Sequence, residues 1–430
     1  MLSVRVLLAV LIAGLHITRV LAWAEELKAG NTCTIQPLGE GQDDTDQIEA
    51  AVSRCGHYGT TVISDGVYNV TRKMMWNLVE ARVDLHGYLN FTANLPYWMN
   101  PENTYRVVYI QDQASWFVVT GRDFTIDAHN TGGIIGNGQY WWNWYGTTSR
   151  LDGDGRPIAF TLWRVLRGVV KDFRIEGQPF WCNTVAESKD VVYDGMYCNA
   201  TNTNPEYYGY NVVPNTDGID TFRADNVTLL NWDITLGDDC LAIKGNSTNL
   251  YFQNITCRGG NGIAFGSLGQ YANLFDRVGN VTLEDIRLLH IDPEIQPNMG
   301  SAVYFKSWSG TTIGHPPDNG GGGGGLVTNV TVRNAELYNV SLPIHVYQTN
   351  GAHPGDSPST LQFANLSFYN FTGTSSGSTI VDIACSPAAP CPGMVFENIN
   401  ITVNTGAEPV YTCTNVVSQQ GLSSCETTST

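Results

Sequence analysis

One short phrase recurs along most of this chain: a run of alternating β-formers that ends in Asn or Asp and a polar turn. It reads Val191-Val192-Tyr193-Asp194-Gly195, then Val227-Thr228-Leu229-Leu230-Asn231, then Leu250-Tyr251-Phe252-Gln253-Asn254. It returns as Val281-Thr282-Leu283-Glu284-Asp285, Val330-Thr331-Val332-Arg333-Asn334 and Val395-Phe396-Glu397-Asn398. Period-two alternation marks strands with one buried face. Recurrence at roughly 20–30 residues marks stacked rungs, each burying its apolar side on its neighbours. A sandwich would need frequent two-residue Asn-Gly turns between strands, and these are scarce. The pattern predicts an all-β, single-domain, right-handed parallel β-helix.

A chain of 430 residues ordinarily divides into domains, but a solenoid grows by repetition, and no Pro/Ser linker or charge run interrupts this one. Arg5 precedes an apolar run over 6–15, and Val20-Leu21-Ala22 offers a small-residue cleavage site. Residues 1–22 therefore read as a signal peptide, with residues 23–430 as the β-helix domain of a secreted, extracellular protein. No stretch reaches the ~20 apolar residues that span a bilayer. Residues 42–55, acidic at their start, read as a helix that caps the open end of the coil. The glycine run 320–325, after Pro316-Pro317, reads as a flexible inserted loop near 315–326.

Ten cysteines fall in near neighbours: Cys33/Cys55, Cys182/Cys198, Cys240/Cys257, Cys385/Cys391 and Cys413/Cys425. Local pairing is the simplest of many connectivities, and no spacing suggests a metal site. Sequons at Asn69, Asn90, Asn199, Asn226, Asn246, Asn254, Asn280, Asn329, Asn339, Asn365, Asn370 and Asn400 point to a glycosylated exterior. The formal charge is -17, and -19 without Arg5 and Arg19 of the leader. Such a field excludes nucleic acid and anionic membranes as partners. An acidic polysaccharide would need an acidic medium or a local basic site. Nothing calls for a cofactor, and the chain reads as a monomer.

Carboxylates concentrate at two points, Asn215-Thr216-Asp217-Gly218-Ile219-Asp220 and Gly237-Asp238-Asp239-Cys240. Asp217 and Asp238 stand 21 positions apart, near one turn of the coil, so alignment on successive rungs would bring them within about 4.8 Å. A like-charged cluster raises the pKa of one member and leaves another ionised, which suits acid–base hydrolysis. Asp238 and Asp239 can share a face only if the backbone bends, and Gly237 is the residue expected to permit it. Alternation from Asp217 aims Asp220 away and gives it a turn role. Arg223 reads equally as a cleft cation or as a surface partner of Asp225 or Asp220.

These segments, with Gly260-Asn261-Gly262 before Gly266-Ser267, Tyr304-Phe305-Lys306, Tyr347 and the upstream Gly136-Asn137-Gly138-Gln139-Tyr140, resemble glycoside hydrolase family 28, the polygalacturonase family. The resemblance covers most of the chain. It implies inverting hydrolysis of pectin, with Asp238 as general acid and Asp217 and Asp239 holding and deprotonating the water. It also implies substrate contacts from Asn215, Lys306, Tyr304, Tyr347 and Arg223. Two departures stand out: Asn261 takes the family's histidine position, and Tyr304 takes its arginine position. Both exchange a side chain that can carry positive charge for a neutral one. The chain is most similar to the fungal exo-acting branch, in particular to α-L-rhamnosidases and exo-rhamnogalacturonases.

On that ground the sequence favours release of terminal α-L-rhamnose or action on rhamnogalacturonan. Trp141, Trp142, Trp144, Tyr145 or Trp308 would supply an apolar wall for a deoxysugar, although core packing is the plainer role for each. His345, on the face of Tyr347, reads as structural. The alternative is an exo-polygalacturonase. More distant readings are a calcium-dependent lyase with Arg223 as base, and a non-catalytic saccharide-binding β-helix.

Overall fold

The computed structural model describes residues 30–147, 155–317, 319–422 and 425; the leader read over 1–22 lies outside them. The protein is all-β and folds as a right-handed parallel β-helix. Twenty-six strands of the described residues join one wound sheet, and successive rungs pair in parallel. A short antiparallel hairpin, Tyr105–Val108 with Gln113–Ser115, stands apart from the coil.

Stacking follows from the sequence phrase. Val191 pairs with Val227, and the column continues through Leu250, Val281, Val330 and Leu366. A parallel column runs from Leu229 through Phe252, Leu283, Val332 and Phe368 to Phe396. All are buried. The long strands Asp225–Thr235, Ser247–Arg258 and Phe275–Leu289 bend where Asn231, Asn254 and Asp285 take left-handed φ values of 58°, 56° and 58°. Asn and Asp tolerate that conformation better than other branched residues. The turn side chains then bond rung to rung: Asn254 donates to Asn231 at 2.7 Å and Asn370 to Asn334 at 3.0 Å. Several sequon asparagines are thus structural members of these ladders.

The capping helix spans Thr45–Cys55 and sets Ile48 and Val52 on the open end of the core. Cys33–Cys55 ties it to the first strand, and the other four disulfides pair the neighbours Cys182–Cys198, Cys240–Cys257, Cys385–Cys391 and Cys413–Cys425. No helix among the described residues is long and apolar enough to cross a membrane.

The glycine run departs from expectation. Gly321 N–H donates to Gln270, Gly322 N–H to Ser309 and Gly323 N–H to Gly269, while Gly324 and Gly325 open the strand Gly324–Val340. A Cβ on Gly320 would sit 2.4 Å from the Gln270 carbonyl oxygen. The glycines here permit close backbone approach, and the segment is a hydrogen-bonded part of the wall.

Candidate active site

One wall of the coil is built from Ile219–Phe222, Asp239–Ile243, Gly262–Leu268, Val303–Trp308 and Ile344–Asn350. Its inward column is Ile219, Leu241, Ile263, Val303 and Ile344. Alternation turns the next column outward: Asp220, Ala242, Ala264, Tyr304 and His345. Two positions on, Lys306 pairs with Tyr347. Ala242 and Ala264 are buried under Tyr304, with Tyr347 packed against them.

Asp217, Asp238 and Asp239 converge at the head of this wall, each offering an oxygen within 4.8 Å of the others. The alignment differs from the expected one. Ile219 pairs with Leu241, so the rung adds 22 residues in the strands, and Asp217 and Asp238 both lie ahead of that paired stretch. Nor does a bend at Gly237 alone bring the pair to one face. Asp238 lies in a bend before the strand begins at Asp239, and the ladder slips between Asp239 and Leu241. Gly237 is required for space: a Cβ there would sit 2.4 Å from Asn211 Oδ1.

Each aspartate has its own surroundings. Asp238 Oδ2 accepts from Asn215 N–H at 2.8 Å, and its Oδ1 accepts from Asn261 Nδ2 and Asp239 N–H, both at 2.9 Å. Asp239 Oδ2 accepts from Lys306 Nζ at 3.0 Å, its Oδ1 accepts from the Tyr304 hydroxyl, and Lys306 also donates to Tyr304 at 3.2 Å. Asp217 is buried, and its Oδ1 takes no hydrogen bond from the described residues. Burial, then the charges of Asp220, Asp238 and Asp239, push its pKa well above the usual carboxylate range. An ammonium already sits against Asp239, so the cluster carries its own counter-charge.

Asp220 corrects the sequence reading. It is fully buried on the strand Ile219–Phe222, 3.0 Å from the equally buried Lys244 ammonium. Burial raises its pKa to about 7 despite that lysine. Lys244, over the Trp181 ring at 5.0 Å, was not singled out from the sequence, and its place two residues past Ala242 on the wall was the signal available. Arg156 was also missed. It is 1% exposed, donates to Asn215 Oδ1 at 2.8 Å and to the Pro179 and Pro214 carbonyls, and lies over the Tyr145 ring at 4.5 Å. It buttresses the residue whose N–H holds Asp238.

Arg223 does not join the aspartates. Its guanidinium lies over Tyr109 and Phe222, 3.6 Å from Glu187; Asp225 pairs with Lys189 instead. Tyr347 stacks on His345 at 4.8 Å, and burial lowers the histidine's pKa. Trp141 and Trp142 belong to the core, Trp308 is 8% exposed, Trp144 stands half-buried against Trp141, and Tyr145 lies under the Arg156 guanidinium.

The hairpin Tyr105–Ser115 spans the same face. It enters ahead of the strand Phe117–Asp127, lays Tyr109 over Phe222 at 6.0 Å, and reaches Tyr271 behind the strand Gly262–Leu268. At its tip Gln111 N–H donates to the Tyr271 hydroxyl at 2.7 Å.

Known proteins carry a similar architecture and related sequences. Residues 78–425 match the description "Glycosyl hydrolases family 28". The protein belongs to that family. It is a pectin-degrading glycoside hydrolase. A putative galacturan 1,4-alpha-galacturonidase A of Aspergillus niger is 39% identical over 87% of this hydrolase and 89% of its own length. An alpha-L-rhamnosidase of the same species is 30% identical over 90% and 88%. Among solved structures, the endo-xylogalacturonan hydrolase of Aspergillus tubingensis superposes with a TM-score of 0.73 at 21% identity, covering 93% of this hydrolase and 99% of that chain. The hydrolase is thus more similar to the galacturonidase than to the rhamnosidase, and the rhamnose preference drawn from Asn261 and Tyr304 loses its footing. Both side chains are engaged with aspartates, Asn261 with Asp238 and Tyr304 with Asp239.

Proposed function

We propose that this hydrolase is a secreted, inverting exo-galacturonidase that releases terminal galacturonate from pectic chains. The observation that supports the exo mode is the hairpin bonded to Tyr271 with Tyr109 stacked over Phe222, a barrier that would close one end of a groove along the wall. A chain end can enter such a groove, whereas a mid-chain segment needs it open on both sides. Galacturonate is favoured by similarity to the galacturonidase. Lys244 and Lys306 balance Asp220 and Asp239, which lessens the repulsion a uronate would meet in a protein of charge -17. The five disulfides suit an oxidising, extracellular compartment.

In this reading Asp238, oriented by Asn215, Asn261 and its own neighbour's N–H, gives its proton to the leaving oxygen. Asp239, its charge held by Lys306 and Tyr304, takes the proton of the attacking water, and Asp217, which burial keeps protonated, positions that water. Two hydrogen bonds of about 2.7 Å reach across about 5.4 Å, so oxygens within 4.8 Å can hold one water between them. Asn261, unlike histidine, has no proton to exchange, so the acid limb of the pH profile belongs to the carboxylates.

The test is a time course on tetragalacturonate beside an aryl α-L-rhamnoside. Monomeric galacturonate and the trimer appear first, the freed sugar carries the inverted anomeric configuration by proton NMR, and rhamnose release is slower by orders of magnitude. Early dimers would overturn the exo mode, and a higher kcat/KM on the rhamnoside would restore rhamnose.

A further inference from the structure

The back of the same hairpin carries a second concave site. An open groove of 590 Å³ has a lining that includes Arg106, Tyr109, Asp112, Trp163, Arg164 and Glu187. That volume falls within the range that binds small ligands. It lies outside the aspartate cluster. Trp163 pairs with Ala186, which pairs with Phe222, so its floor is two rungs, about 10 Å, before Phe222. Tyr109 stacked on Phe222, with the Arg223 guanidinium over both rings, forms the partition.

The chemistry of the groove is unusual for so acidic a chain. The Arg164 guanidinium lies over the Trp163 ring at 4.4 Å, with Nε donating to Glu187 Oε2 at 2.8 Å. Arg223 reaches the other oxygen of Glu187 at 3.6 Å, so one carboxylate is shared by two guanidiniums. Arg106 donates through Nη1 to the Asp112 carbonyl, while its buried Nε has no acceptor among the described residues. Arg106 and Arg164 stand with Asp112 and Glu187 in the lining, and Arg223 in the partition adds a third guanidinium beside Glu187. Exposed Tyr109 and half-buried Trp163 offer ring faces beside them. Guanidinium forks recognise carboxylates, and sugar C–H faces pack on aromatic rings.

We infer that this groove is a second, non-catalytic saccharide site that binds a uronate residue of the pectic polymer. The inference rests on the pectic reading of the neighbouring cleft. The hairpin would then divide two tasks, closing the groove over the aspartates on one side and anchoring polymer on the other. Anchoring raises the effective concentration of chain ends near the cleft without contributing to bond cleavage.

The test is calorimetric titration of the inactive Asp238→Asn protein with trigalacturonate. Two binding events are expected. Adding Arg164→Ala and Trp163→Leu removes one and leaves the other; Arg164→Ala alone, at an exposed side chain, weakens the same event about tenfold. Galactotriose, which lacks carboxylates, gives no second event. In the otherwise natural enzyme the double variant keeps kcat/KM on digalacturonate within twofold and raises KM on polygalacturonate about tenfold. A single event in Asp238→Asn that the groove variants leave intact, an unchanged stoichiometry in those variants, or equal binding of galactotriose would overturn the inference. If only the Arg164-dependent event were present, the groove would stand and the galacturonate reading of the aspartate cleft would fall.

Discussion

The column Val191–Val227–Leu250–Val281–Val330–Leu366 and the column Asp220–Ala242–Ala264–Tyr304–His345 obey the same stacking geometry with opposite consequences. Rung repetition sets like beside like about 4.8 Å apart. For aliphatic side chains that contact is favourable, and the column repeats freely. For carboxylates it is repulsive, so the outward wall does not repeat. One aspartate is followed by two alanines and a phenol, and lysines enter the adjoining positions at 244 and 306. The stability of the coil resides in the repeated columns, and its chemistry resides where repetition is broken.

The largest effect expected on this contrast comes from Asp238→Asn. It removes the proton donor and should lower kcat by about 10²–10⁴ with the melting temperature nearly unchanged. Leu283→Ala, between Phe252 and Val332 in a repeated column, should do the reverse. It should cost about 2–5 kcal/mol in denaturant unfolding while the folded fraction keeps its kcat. Tyr304→Phe deletes the hydroxyl that donates to Asp239 but keeps the ring, and kcat should fall about tenfold with KM little altered. Asn254→Ala should be smallest. It loses one turn bond and a residue suited to positive φ, about 1 kcal/mol together, with no change in turnover. A kcat loss for Leu283→Ala as large as that for Asp238→Asn would erase the division between the two columns.

The repeated columns were legible because burial alternates with a period of two and the turn asparagines punctuate it. The convergence of Asp217, Asp238 and Asp239 was legible from the near-rung interval. Asp220 was misread for a definite reason. Parity was counted from Asp217, which lies before the strand begins at Ile219, and the alternation does not run through that break. Cations at the site were harder still. Arg156 sits in a segment with no strand pattern, and its partner Asn215 is 59 residues away. Asn261 and Tyr304 were visible as departures from a family motif, yet their partners are aspartates on other rungs, which order along the chain does not disclose. The glycine run was read from composition as flexible, whereas close backbone approach is what it serves.

Burial of Asp217 and Asp220 among like charges is the central claim, and it has a sign in solution. Burial raises both carboxyls above the ordinary aspartate range of about 4 in the folded protein, Asp220 to about 7. Between those limits the folded protein binds more protons than the unfolded chain, so stability falls as pH rises from about 4 to about 7. Asp217→Asn removes one of the two groups. The most direct measurement is the unfolding free energy of the natural enzyme and of Asp217→Asn across that window. The account predicts declining stability for the natural enzyme, and a shallower decline for the variant, which is inactive yet the more stable of the two at pH 7. Equal slopes, or a natural enzyme that gains stability as pH rises, would contradict it.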